Sequence, residues 1–203
     1  MSSSKSPKFQ IALCGDKFTN IATAGAAVAE AVAHGAQVVS LPECWNSPYA
    51  TASFPVYAEE IPATKALLLE AEHSSTFALS QLARQHQIYL VGGSIPEKDN
   101  GRIYNTSVIF SLEGEILGKH RKVHLFDIDV LVRMTFKESD TLSAGNAWGH
   151  SSITSPWGEI VATCGHDEAI VYAEIDLNTV EEVRHFIPMG LQTRTDLYEL
   201  VQK

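Results

Sequence analysis

The sequence predicts an α/β fold, and three observations carry that prediction. Short apolar runs alternate with segments of helical periodicity over the first half of the chain. The helical segment between the first two runs is long enough to act as a crossover, which makes the flanking strands parallel. The second and third of these runs are largely apolar, as buried strands require.

Lys8 to Leu13 alternates apolar and polar residues and stops at Cys14-Gly15-Asp16, a first strand ended by turn residues. From Asn20 the spacing turns helical. Ile21, Ala24, Ala27, Val28, Ala31 and Val32 recur at three and four, Thr19 or Asn20 offers an N-cap, and Gly35 stands where a left-handed C-cap belongs. The next buried strand starts at Ala36, breaks at Pro42 and at once delivers Glu43. Phe54 to Pro62 is irregular, and Ala63 to Glu72 has a composition compatible with a helix. A second amphipathic helix, from Ser74 or Ser75 to about His86, feeds a strand from Ile88 to Ile95 that opens on Gly92-Gly93.

After a turn at Lys98-Asp99-Asn100-Gly101, Ile103 to Phe110 and Glu115 to Leu117 flank Ser111-Leu112-Glu113-Gly114 as a hairpin, whose second arm runs on into His120-Arg121-Lys122-Val123-His124. Ser152 to Thr154 and Glu159 to Thr163 pair around Ser155-Pro156-Trp157-Gly158, and Ala169 to Ile175 follows. Asn178-Thr179-Val180-Glu181 reads as a capping box for a short helix ending before Pro188. Between Ile88 and Asp176 no segment reads as a helix, although buried strands need helices on their outer face.

A chain of 203 residues suits one domain, here residues 8–203 behind a polar tail over 1–7. With 45% hydrophobic and 19% charged residues and a mean hydropathy of -0.02, it is neither a disordered nor a membrane-embedded sequence. A net charge of -9 and a pI near 5.3 argue against nucleic acid or an anionic membrane as partner, since no general positive field attracts phosphates. No apolar run approaches the roughly 18 residues needed to span a bilayer. Met1 to Pro7 lacks the apolar core of a secretion signal, so the expected location is cytoplasmic, with the mitochondrion as the alternative. Cys14, Cys44 and Cys164 show no CxxC spacing and the eight histidines form no HExxH, so no disulfide framework, metal or other cofactor is expected.

Glu43 ends a buried strand, where ligands sit in open α/β sheets, and is followed by Trp45-Asn46-Ser47-Pro48-Tyr49. A carboxylate so placed is a candidate for acid/base work; the alternative is a Glu in a surface turn. His120-Arg121-Lys122 is a basic run in an acidic chain, and its place at a strand end brings Lys122 toward the crevice of Glu43; the alternative is a solvated basic face.

Leu41-Pro42-Glu43, Gly92-Gly93-Ser94-Ile95-Pro96-Glu97, Tyr104-Asn105 and Arg121-Lys122-Val123-His124-Leu125-Phe126-Asp127 together resemble the signatures of the nitrilase superfamily of carbon-nitrogen hydrolases. Phe126-Asp127-Ile128-Asp129-Val130, Trp148-Gly149-His150-Ser151 and Ser155-Pro156-Trp157-Gly158-Glu159 are most similar to the omega-amidase branch. The resemblance spans about Phe9 to Tyr198 and implies a nitrilase-like αββα sandwich that forms oligomers. It also implies a Glu-Lys-Cys constellation: a thiolate attacks an amide carbon, a glutamate moves protons and a lysine stabilises the oxyanion. Carried over by motif, Glu43 is the proton shuttle, Lys122 the oxyanion partner, Glu138 a second glutamate that orients the lysine region, and Tyr49 a substrate-pocket residue.

The family's cysteine lies between a Leu-Ser-x-Gly and a Trp-Gly-His-Ser motif. Here only Asn146 and Ala147 separate Gly145 from Trp148, so the resemblance implies a sandwich truncated by an internal deletion near 146–148 that removes the nucleophile. Other departures are Leu131-Val132-Arg133, where a proline-glycine turn is usual, and an apparent insertion over 65–73. No remaining cysteine is an evident substitute. Cys14 reads as a small buried hydrophobe, Cys44 points away from Glu43 if strand geometry persists, and Cys164 has acidic Asp167 and Glu168 nearby.

Three expectations follow. The chain is an omega-amidase-like hydrolase for the terminal amide of 2-oxo dicarboxylic acid monoamides such as 2-oxoglutaramate, inactive for want of its nucleophile. Alternatively it is a non-catalytic partner of a full-length paralogue, or of itself. The third reading is a chain with too little core to fold stably.

Overall fold

The computed structural model describes residues 4–5, 8–10, 16–50, 52–124, 150–165, 167–194 and 196–197. In chain order the elements are β1 (Ser4–Lys5), β2 (Lys8–Gln10), α1 (Lys17–Ala33), β3 (Val38–Ser40), α2 (Phe54–Tyr57), α3 (Ser74–His86), β4 (Tyr89–Val91), β5 (Ile95–Asp99), β6 (Arg102–Phe110) and β7 (Ile116–Arg121). There follow β8 (Ser152–Thr154), β9 (Ile160–Thr163), β10 (Ala169–Val171), β11 (Glu174–Ile175), α4 (Leu177–Phe186) and α5 (Met189–Gln192). This is a mixed α/β architecture, as the alternation of patterns predicts.

Seven strands form the main sheet. β2, β3 and β4 are parallel neighbours, so the crossover through α1 makes the expected parallel pair. β10 adds antiparallel to β2 at one side, and β4 and β5 both pair antiparallel with the long β6, which also pairs with β7. The hairpin around Ser111–Gly114 forms as expected. The strand Ile95–Asp99 is a finding the sequence reading missed: the turn is shorter, at Asn100-Gly101, and both residues take the left-handed backbone that such a tight connection needs. β1, inside the stretch read as a polar tail, pairs with β11.

Helix starts differ from the sequence expectation for one shared reason. α1 begins at Lys17, capped by the Asp16 carboxylate, which accepts from the Thr19 amide and hydroxyl at 2.7 Å each. Its polar first turn hid the start, because apolar periodicity begins only at Ile21. α4 likewise is capped by Asp176, which accepts from Asn178 N at 2.9 Å, ahead of the expected box. Gly35 does take a left-handed φ, +86°, after α1. Of the helix compatible with Ala63 to Glu72, only a 3-10 turn at Lys65–Leu67 forms. Leu67 and Leu69 stay exposed there, so tertiary packing gives that segment no apolar stripe to bury, and short helices depend on such packing.

α3 has no cap of its own at His73. Glu59, in the stretch read as irregular, supplies one: its carboxylate accepts from Ser75 N at 3.0 Å and Thr76 N at 3.4 Å, and from Lys17 Nζ at 3.0 Å. A carboxylate at the positive end of the helix dipole thus ties α1 and α3 to one anchor.

The core lies on one face of the sheet. Val39, Leu90, Val108 and Phe110 point into it and meet Ala24, Val28 and Ala31 of α1 and Leu79 and Ala83 of α3. Each large apolar side chain fully buried here contributes about 1.5–3 kcal/mol. Alternation sends Tyr89 and Ile109 to the opposite face, where they are 45% and 40% exposed, so the sheet is open to solvent around them. A second, small core of Ile153, Val171 and Ala173 sits by the two-stranded β8–β9 sheet. α4 buries no residue. Among the described residues no helix is long and apolar enough to cross a membrane.

Candidate active site

Consecutive residues of β6 and β7 leave the sheet on opposite sides, and this alternation builds the site. Thr106 and Arg121 face the covered side. There Glu97, 1% exposed, accepts from Thr106 Oγ1 at 2.6 Å, Arg121 Nε at 2.7 Å and Nη2 at 2.9 Å, and Lys119 Nζ at 2.6 Å. Burial alone pushes the Glu97 carboxyl up, but the donors of Arg121, Lys119 and Thr106 outweigh it and hold the group at about 2. Arg121 also bridges to Asp99 at 2.8 Å and stacks on Tyr104. This cluster fixes the register of β7 against β5 and β6, because a slip of one residue would put Lys122 in place of Arg121.

Asn105 and Lys122, the neighbours of Thr106 and Arg121, emerge on the open side. Lys122 Nζ donates to Glu43 Oε1 at 2.8 Å and Asn105 Nδ2 donates to the same oxygen at 2.5 Å. Both members of the ion pair are partly exposed, 41% for Glu43 and 37% for Lys122. The hydrogen bond to Glu43 raises the Lys122 ammonium above its ordinary value, so it is charged throughout the neutral range. Tyr49 also bonds to Glu43, and its hydroxyl is pushed up first by burial and then by the carboxylate.

The Glu43 loop is held by the glycines after β4. Ser94 N donates to Pro42 O at 3.1 Å, Cys44 N donates to Ser94 Oγ at 3.0 Å, and the indole of the fully buried Trp45 donates to Gly92 O at 2.9 Å. Gly93 has a φ of +58°, and a Cβ there would lie 2.0 Å from Pro42 O, so only glycine permits this approach.

Strand geometry does not persist to Cys44, which has a φ of +51° in a turn. The thiol is nevertheless buried, and burial, with the neighbouring Glu43, pushes it up to about 11. It is therefore protonated at neutral pH and unsuited to attack a carbonyl carbon. Cys164 Sγ turns toward Ser151 O at 3.7 Å beside the small second core. Cys14 and Glu138 lie outside the described residues.

The structure thus brings Glu43, Lys122 and Tyr49 together. It adds Asn105, to which the sequence reading assigned no role, and the Glu97 cluster. The signal for both was in the strand pattern: polar residues at consecutive positions of β6 and β7, one of each pair on either face. A polar cleft of about 290 Å³ opens away from Glu43, lined by Glu60, His73, Glu97, Asp99 and Lys119 among others.

Comparison with known proteins fits this arrangement. The carbon-nitrogen hydrolase family model matches residues 9–148 and, separately, 143–185. The chain is 35% identical to omega-amidase NIT2 of Bos taurus over 275 aligned positions, covering 96% of each. An alignment of that length passes over several dozen positions for which this 203-residue chain has no counterpart. Its structure resembles that of Saccharomyces cerevisiae Nit3, a member of branch 10 of the nitrilase superfamily, with a TM-score of 0.76 at 27% identity over 95% of this chain and 97% of that one. It also shares its fold with the amidase of Nesterenkonia sp. AN1, at a TM-score of 0.62 and 15% identity over 93% and 99% of the two chains; that amidase has been solved with acrylamide added at an active-site cysteine.

Proposed function

Because the chain belongs to the carbon-nitrogen hydrolase family, we propose that Glu43 and Lys122 are the proton shuttle and oxyanion partner of an omega-amidase-like site whose attacking thiol is absent. The site's chemistry is hydrolysis of the terminal amide of a 2-oxo dicarboxylic acid monoamide, such as 2-oxoglutaramate, to the 2-oxo acid and ammonia. One observation carries this reading: a glutamate and a lysine meet at 2.8 Å on the open sheet face while the neighbouring thiol, Cys44, is buried and protonated.

What these residues do follows from their geometry. Glu43 spends one carboxylate oxygen on Lys122 and Asn105 and can take or give a proton at the other. Lys122 has donors beyond the one given to Glu43 and can meet a developing oxyanion. No step begins without a nucleophile. One fact supports loss of an internal segment: the family model is met as two separate stretches that overlap at 143–148.

The test is ammonia release from 2-oxoglutaramate by the purified chain. Turnover no greater than the buffer blank is expected. Turnover that iodoacetamide abolishes would overturn the proposal, because it would show a working thiol.

A second reading draws on the exposure of Tyr89 and Ile109: the open face is covered by a full-length paralogue or a second copy in a mixed or homo-oligomer. Size-exclusion chromatography with multi-angle scattering of the chain alone and mixed with a full-length relative tests it. A monomer under both conditions refutes it.

A further inference from the structure

We propose that Asn105 is a positioning residue that holds Glu43 and Lys122 as one unit, its side-chain amide fixing the carboxylate and its main-chain carbonyl fixing the root of the lysine. The inference rests on the reading of Glu43 and Lys122 as the surviving pair and deepens it. Three contacts carry it. Asn105 Nδ2 donates to Glu43 Oε1 at 2.5 Å, that oxygen is the one Lys122 Nζ reaches at 2.8 Å, and Lys122 N donates to Asn105 O at 2.8 Å.

The amide orientation follows from chemistry, since turning the ring of contacts around would set a carbonyl oxygen against a carboxylate. That orientation leaves Asn105 Oδ1 buried without a partner, so the contact to Glu43 is kept at the expense of an acceptor.

Such a device is needed because the pair is exposed. Two long side chains with 41% and 37% exposure lose rotamer freedom when they meet, and water competes for both charges. Asn105 is anchored in β6, which pairs with β5 on one edge and β7 on the other, and so its amide stands at a fixed point. Glu43 is thereby kept from swinging into solvent, and Lys122 meets a partner already in place. The titratable groups that face Lys122 are Glu43, Cys44 and Tyr49 from the loop after β3, and His120 emerges on the same side of its own strand.

The test is a double-mutant cycle read at the Lys122 Cε resonance by carbon NMR during a pH titration, with Lys122→Arg for assignment. Asn105→Ala is expected to lower the Lys122 midpoint by about half a pH unit in the native background. In a Glu43→Gln background the same substitution is expected to leave it unmoved. An equal effect in both backgrounds, including none, overturns the proposal, and so does a fall in thermal midpoint with no change at Lys122, which marks a purely structural role. If Asn105→Ala does not fold, Asn105→Ser is run through the same cycle. Glu43→Gln alone tests the pair itself: no shift there removes the pair, whereas a shift there without coupling removes only Asn105's part. Neither readout depends on turnover.

Discussion

Replacing Glu97 by glutamine should destabilise the fold and also change how its stability depends on pH. The carboxylate is 1% exposed, and Arg121, Lys119 and Thr106 hold its titration at about 2, against an ordinary value near 4.5. A native value depressed in this way means that the unfolded chain binds the proton more readily. The contribution is therefore fully present above about pH 4.5 and is lost as pH falls toward 2. Taken at face value the depression corresponds to about 3 kcal/mol. Lys119 and Arg121 are each about a third exposed, at 34% and 33%, and solvent screening reduces the expected figure to about 2 kcal/mol. Opposing this is the neutrality of glutamine, which needs less desolvation; but its amide must turn its NH2 toward two of the four donor groups, so the loss prevails. Urea denaturation of both proteins at pH 7 and pH 3 checks the sum. Glu97→Gln should unfold at lower urea at pH 7, and the gap should narrow at pH 3. Parallel losses with falling pH, or stabilities within about 0.5 kcal/mol at pH 7, would refute the account of Glu97 as an ionised anchor.

Gly93→Ala should cost about 3 kcal/mol or more and displace the Glu43 loop, since a left-handed alanine is strained and its Cβ would lie 2.0 Å from Pro42 O; circular-dichroism melting and the Lys122 titration read the two effects. Glu59→Ala should lower stability by about 1–2 kcal/mol through loss of the α3 cap, measured by urea denaturation, with faster hydrogen exchange at Ser75 and Thr76 than elsewhere in α3. In a Cys14→Ser, Cys164→Ser background, Cys44 should react with iodoacetamide at pH 7 about two orders of magnitude more slowly than free cysteine, its rate rising only as pH nears 11; mass spectrometry of the alkylated chain follows it.

Much of the fold was legible because period and composition are local properties. The parallel strand pair around α1, α3, the β6–β7 and β8–β9 hairpins and the break after Leu41 were all readable from spacing and turn residues. Glu43 and Lys122 were readable as candidates because each ends a strand. Less legible were features whose cause lies elsewhere in the chain. Glu59 caps a helix that begins fifteen residues later, and no local pattern announces that. The segment over 63–72 had helical composition but no face to bury, which only the packing around it reveals. Asn105 lies in a strand that the spacing predicts and Glu97 in one that it does not, and their roles separated only when the register sent them to opposite faces.

By itself the sequence determined that the chain is α/β and that a glutamate and a lysine stand at strand ends. These are matters of residue order, set by the periods of helix and strand. Tertiary structure decided that Glu43 and Lys122 meet, that Asn105 joins them, that the Cys44 thiol is buried and protonated, and that the sheet face bearing the pair is open. Those are matters of three-dimensional register and burial. They depend on which residues from distant strands share a face, and on the field and solvent each then meets.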